Sequence, residues 1–239
     1  MLIFELKYHF KQASFQLACF LFLAFGIFAI AKGNFGGDEV YKNSAYVSTY
    51  IISFFSLFSI FSSTLFCANV VLRDYTYKMD SVVFTTAVER FPYFFVRFFG
   101  LFIAVFTHLA FAALGLLIGT LFVEDARLDL FHVSYYLHPL FGFGLPNVLL
   151  SVSCIFCTAL LTKNVRAIYA AGVLLYILYM VASILGDSPL FATSNLKVNQ
   201  PSLLPYLVDP FGMTSFFSET NIWTDELKIH QLFPISGVL

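Results

Sequence analysis

Charge is what this chain has least of. Only 11% of its 239 residues are Asp, Glu, Lys or Arg, where soluble domains carry about 25%. So thin a supply cannot clothe a soluble surface of this size. It is also unevenly spread: residues 12–31, 43–72, 98–123, 130–162 and 167–186 hold none. Other absences exclude whole classes. The ten-residue alternation of a membrane barrel is missing. There is no internal repeat and almost no ionisable group inside the apolar stretches, which weighs against a secondary transporter with charged or duplicated midplane sites. Neither H-E-x-x-H nor G-x-x-x-x-G-K-[ST] occurs, so neither peptidase activity nor nucleotide binding can be assigned to these residues. Cys19, Cys67, Cys154 and Cys157 all fall in apolar stretches and behave there as small hydrophobes. The C-x-x-C of Cys154 and Cys157 has no second pair and no βαβ setting. It reads as packing inside a membrane helix rather than metal or redox chemistry.

What is abundant is apolar: 59% of residues are hydrophobic and 32 are Phe, a richness that serves lipid contact and bundle packing. A hydrocarbon core of about 30 Å takes about 20 helical residues to cross, and each charge-free stretch is long enough. Backbone polar groups in lipid must pair within their own segment, so helices follow. The sequence predicts an all-α polytopic membrane helix bundle, with spans at about 14–31, 46–72, 94–122, 145–162 and 167–186. The second and third are long enough to tilt or overrun the lipid. His138-Pro139 and Gly142-Phe143-Gly144-Leu145-Pro146 predict an outer approach over 131–145 that breaks before the fourth span.

Basic residues set the orientation. Lys7, Lys11, Arg73, Lys78, Arg90 and Arg97, with Lys163 and Arg166, crowd segments 1–14, 73–97 and 163–166. The larger remainder holds only Lys32, Lys42, Arg127, Lys197 and Lys228. The positive-inside rule then puts the first group, and the N-terminus, in the cytoplasm. Ala29-Ile30-Ala31 resembles a signal-peptide cleavage site, but the apolar run is too long and Glu5 sits in the leader, so an uncleaved anchor is the better reading. Before it, Ile3, Leu6, Phe10 and Ala13 share one helical face opposite Glu5, Lys11 and Gln12, a pattern that suits the inner interface. Residues 187–239 are richer in Pro, Ser, Asn and Asp and read as an ordered extracytoplasmic segment. With five spans and apolar character rising at Leu239, the chain reads as a fragment with a sixth span expected beyond it.

The segment between spans two and three is the most informative. Lys78 to Glu89 can form three helical turns, with Met79, Val82, Val83 and Thr86 on one face and Tyr77, Ser81, Phe84 and Val88 on another. Pro92 suits the first turn of the next helix. Two apolar stripes below the membrane leave one face for the bundle and one for a partner. An ordinary loop helix lying on the headgroups is the competing explanation.

The order Asp80-Ser81-Val82-Val83-Phe84-Thr85-Thr86-Ala87, Arg90-Phe91-Pro92-Tyr93 and Arg97-Phe98 resembles the cytoplasmic coupling helix of type 2 ABC transporter permeases, although Ala87 stands where most members carry proline. The likeness extends to the amphipathic N-terminus, the order of spans, and Pro146-Asn147 opening a fourth span that ends Leu161-Thr162-Lys163-Asn164. Val208-Asp209-Pro210-Phe211-Gly212 with Trp223-Thr224 looks like Bacteroidetes-type permeases whose long chains also carry a zinc aminopeptidase-like domain. The resemblance implies an ABC-2-type permease fold of six spans in the bacterial inner membrane. It implies an exporter driven by a separate cytoplasmic ATPase, which binds the ATP, and a dimer or pseudo-dimer of permease halves. The ATPase-coupling contact it implies comprises Tyr77, Asp80, Ser81, Phe84, Val88 and Glu89. No cofactor, metal or nucleic-acid partner is expected of these residues. The alternative is a non-transporting membrane anchor or assembly subunit for an extracytoplasmic or fused peptidase-like domain.

Three further features fit several roles. His108 is the one strongly titratable residue deep in a span, and either a functional group or a helix-to-helix hydrogen bond accounts for it. Gly115-Leu-Leu-Ile-Gly119 permits close helix approach, within one bundle or between two. His132 and His138 lack Cys, Asp or Glu at ligand spacing, which argues against a metal site.

Overall fold

The computed structural model describes residues 2–35, 40–76, 90–123, 128–185, 209, 211–220 and 223–232. They are predominantly helical, with no strand among them. Helix α1 spans Leu2–Lys11, α2 Ala13–Lys32, α3 Ala45–Thr76 and α4 Arg90–Gly119, the last tightened by a 3₁₀ turn at Thr120–Phe122. Helix α5 runs from Ser134 to Thr162, α6 covers Val165–Leu185, and two short helices follow, α7 at Met213–Thr220 and α8 at Asp225–His230. Four helices, α2 to α5, are long and apolar enough to cross a membrane. The fifth apolar helix, α6, has 21 residues. Consecutive long helices alternate in direction, so Lys7, Lys11, Arg97, Lys163 and Arg166 gather at one end of the bundle, called here the basic end.

Helix α3 is the axis. Of its best crossing window 78% is buried, against 22% for α2, and it packs on α4, α5 and α6. The sequence lets it do so by being small and self-satisfied. Ser56, Ser59, Ser63 and Thr64 each donate a hydroxyl to a carbonyl three or four residues back. This back-bonding consumes the polar groups locally, and small side chains let neighbouring backbones come close, the main source of helix association where lipid is as apolar as the core.

Helix α2 leaves its sequence neighbour and lies along α4, barely touching α3. Glycine decides this. A Cβ on Gly26 would sit 2.5 Å from the carbonyl oxygen of Ala112 and 3.1 Å from Gly115 Cα, while Gly115 and Gly119 face the backbones of Leu23 and Ile27. The G-x-x-x-G motif therefore serves packing inside one chain, with Gly26 as its partner across the contact.

Two expectations need correction. The predicted break before the fourth span does not occur: α5 continues through one turn of π-helix at Leu140–Gly144. Pro139 and Pro146 both lack an N–H, and the wider turn between them rearranges the carbonyl pairing that an α-helix would have left open. Gly144 admits the Leu109 side chain. In α1 the polar edge faces inward. Glu5 and His9, four residues apart, are buried, while Ile3 is 82% exposed and Phe4 and Phe10 point outward. The apolar face still suits an interfacial helix, but Glu5 belongs to the protein contact rather than to solvent.

The α5–α6 connection is two residues long. Lys163 adopts the left-handed conformation at φ 51°, its N–H capping on Ala159, and Asn164 accepts a hydrogen bond from the Arg166 N–H at 3.0 Å to start α6.

Candidate functional site

The proposed coupling residues Tyr77, Asp80, Ser81, Phe84, Val88 and Glu89 lie outside the described residues. Their frame is described, however. Helix α3 ends at Thr76 and α4 begins at Arg90, so residues 77–89 join two helices of 32 and 30 residues that pack on each other. Pro92 falls in the first turn of α4, where its missing N–H has no helical acceptor to lose.

One turn further in, Arg97 organises the basic end. Its side chain is 4% exposed, and its Nε stands 3.8 Å from Glu5 Oε1, itself 9% exposed. Arg97 Nη1 donates to the Val70 carbonyl at 2.8 Å, and the guanidinium lies 4.5 Å from the Tyr93 ring centroid. Arg97, seven residues into α4, therefore ties α1, α3 and α4 together and meets α3 at Val70, six residues before its end. Gly100 makes room for this, with Glu5 Cβ 3.2 Å from where a methyl would stand. In the sequence Arg97 serves as a charge that sets orientation and, with Phe98, as part of the coupling-helix resemblance, while its partner Glu5 goes unseen. The signal was present as an acid and a base on two helices at the same depth.

Deeper in the bundle two polar side chains cross between helices. His108 Nδ1 on α4 shares a hydrogen bond of 2.8 Å with Ser62 Oγ on α3. Three rings enclose the imidazole, Phe15 at 4.7 Å, Phe22 at 5.7 Å and Phe66 at 5.2 Å between centroids. Of the two roles open to His108, this contact supplies the helix-to-helix bond. A double-mutant cycle of His108→Leu and Ser62→Ala should return a coupling of about 0.6 kcal/mol and no more than about 1.7, measured by reversible unfolding in detergent. Additive single effects would show that the bond contributes nothing. On α5, Asn147 Nδ2 donates to Ser56 Oγ at 2.8 Å and to the Phe211 carbonyl at 3.2 Å.

The second contact carries the Asp209–Gly212 turn. The Phe211 N–H bonds to Asp209 Oδ1 at 2.9 Å, and Gly212 takes φ 68°, a conformation glycine adopts without steric cost. Behind the turn, Phe216 stacks on Tyr46 at 5.6 Å, Phe217 meets Tyr50 at 5.3 Å and Phe211 meets Tyr179 at 5.8 Å. The Asn43 amide brackets the backbone of Asp129 with bonds of 2.7 and 2.8 Å, and His230 Nδ1 lies 3.7 Å from Asp129 Oδ2. His132 packs on Tyr135; the structure does not bring it together with His138 at a site. Cys154 and Cys157 are free and exposed, so they sit on an outward face of α5 instead of packing between helices. A thiol is apolar enough for that position.

No group of three or more His, Cys, Asp or Glu side chains among the described residues could hold a metal ion. The described residues place a charged clamp at one end, a sparsely polar middle, and an aromatic cluster at the other. Compared with known proteins, the chain matches no family model, no curated protein and no solved structure.

Proposed function

We propose that this chain is the membrane-spanning component of an ABC-2-type permease in the bacterial inner membrane. Its N-terminus lies in the cytoplasm, and it exports its substrate under a separate ATPase that engages residues 77–89. ATP is bound by that subunit, and a pair of permease halves forms the pathway. The observation that supports this reading is the placement of the motif-bearing connection. It joins two mutually packed helices about 48 and 45 Å long at 1.5 Å per residue, each longer than a core of about 30 Å. A displacement applied at 77–89 is delivered along both helices at once. Through Arg97 it also reaches α1, which no partner need touch.

Phe84 and Val88 are the proposed contact, with Asp80 and Glu89 orienting it through charge pairs at the rim. Burying a Phe contributes about 1.5–3 kcal/mol, so Phe84→Ala should weaken association with the ATPase roughly ten- to a hundredfold. Co-purification of the ATPase with the intact chain, followed by transport assays on Phe84→Ala with Val88→Ala, is the test. Wild-type levels of both would make 77–89 a headgroup-lying connection. Failure of any ATPase to accompany the unaltered chain would favour the non-transporting anchor.

A further inference from the structure

Two independent lengths set helix α1 at the boundary of the apolar layer. Helix α2, from Ala13 to Lys32, has 20 residues, or about 30 Å at 1.5 Å per residue, the thickness of a hydrocarbon core. Its first residue therefore lies where the core ends, and only Gln12 separates it from Lys11, the last of α1. Measured down α4 from Gly119, a core of about 30 Å is used up at about Gly100, and Gly100 is the residue that faces Glu5 of α1. The bend between α1 and α2 is held on both sides. Gln16 Nε2 donates to the Phe10 carbonyl at 3.2 Å, and the Phe10 and Phe15 rings meet at 4.9 Å.

The outward face of α1 is mixed. At about 100° per residue, Ile3, Phe4, Lys7, Phe10 and Lys11 fall within an arc of about 120°, and all five are exposed. Lys7 stands near the middle of that arc. Neither lysine forms an ion pair among the described residues. Glu5, the one acidic residue of α1, is buried on the opposite side with His9. Such a face suits neither water nor hydrocarbon alone, since it joins three large apolar side chains to two ammonium groups. The layer that takes both is the headgroup boundary, where an amphipathic helix sinks its apolar side chains about 5–10 Å and leaves its lysines among the phosphates. With two cations and no anion on it, the face complements negatively charged lipid.

We propose that α1 is a docking site for anionic phospholipid of the leaflet at the basic end, with Lys7 and Lys11 on the phosphates and Ile3, Phe4 and Phe10 inserted among the upper acyl carbons. The far side of the same helix is held to Arg97 through Glu5, so lipid bound by α1 is bound against the start of α4. The site rests on α1 alone and holds whether or not the chain is a permease.

Amide hydrogen exchange of the full chain tests this in two kinds of nanodisc, one of phosphatidylcholine alone and one of phosphatidylcholine mixed with phosphatidylglycerol. A lysine at an anionic surface gains about fivefold in binding, so the two together should slow exchange of the Leu6–Lys11 amides about thirtyfold in the anionic discs. Lys7→Gln with Lys11→Gln should remove the difference, and so should about 1 M salt, where charges are screened beyond about 3 Å. Lys163→Asn with Arg166→Gln takes two charges from the same end of the bundle without touching α1, and should leave the difference in place. Equal exchange of α1 in both discs overturns the proposal and leaves the face to an acidic protein. A difference that both double variants abolish alike also overturns it, because the lipid then answers to the charge of the whole end and not to α1.

Discussion

Arg97→Ala will lower the unfolding free energy by about 3–5 kcal/mol, the range for removing one member of a buried ion pair. The loss is large because it is not the attraction alone that disappears. Glu5, 9% exposed, is left buried without the guanidinium 3.8 Å away, and the Val70 carbonyl loses the donor from Arg97. Glu5→Ala should cost a similar amount from the other side. Glu5→Leu combined with Arg97→Met, however, should be near neutral or stabilising, since two apolar side chains of similar volume carry no desolvation penalty. Unfolding in mixed detergent micelles separates these cases. If the double variant is as weak as the singles, the pair is not the cause. If the permease reading holds, that stable double variant should still lose coupled transport, because α1 would no longer be tied to the start of α4.

Gly115→Leu should cost more than about 3 kcal/mol, above the usual range for overpacking. The atoms it meets are backbone: its Cβ would overlap the Leu23 carbonyl, and Gly26 Cα stands 3.1 Å away. A flexible side chain could swing aside, whereas two helices must separate along their whole contact. The neighbouring Leu114→Phe, on an outward face 47% exposed, is the control and should be close to neutral. Thermal unfolding with sizing of the particle checks the assignment. A Gly115→Leu chain that keeps its melting temperature but changes from dimer to monomer would return the motif to an interface between copies.

The positions of the long helices were legible because one physical rule dominates them. A charge inside lipid is costly, so gaps such as 43–72 and 98–123 mark α3 and α4 directly. Which helix lies against which was not legible. Sequence order suggests α2 beside α3, and only Gly26, the one glycine in the apolar run of α2, hints at α4. Helix α1 was misjudged for a related reason. A two-sided division into apolar and polar faces assumes two environments, and an interfacial helix has three: water, lipid and protein. Glu5 and His9 face the third. The serines of α3 carried a signal that was passed over, since Ser56, Ser59 and Ser63 recur at helical spacing within a charge-free run and mark the packed side. At 139–146 two prolines and two glycines read as a break, because residue counts cannot show a turn that widens by one residue and continues. The proposed contact at Tyr77–Glu89 rests on its own motif, with the structure supplying only the two helices it joins.

The widened turn in α5 has a consequence for comparing this chain with others. A π-turn is equivalent to one residue inserted into an α-helix. Downstream of Leu140–Gly144 every side chain is therefore rotated by about 100° relative to an uninterrupted helix of the same length. It is this phase shift that sets Asn147 facing Ser56 and Phe211, and Val148, Val152 and Ile155 toward the core. A related chain lacking one residue at 140–144 would present a different stripe to α3 from an almost identical sequence. Alignments should accordingly allow a single-residue gap inside this helix, where insertions are ordinarily forbidden.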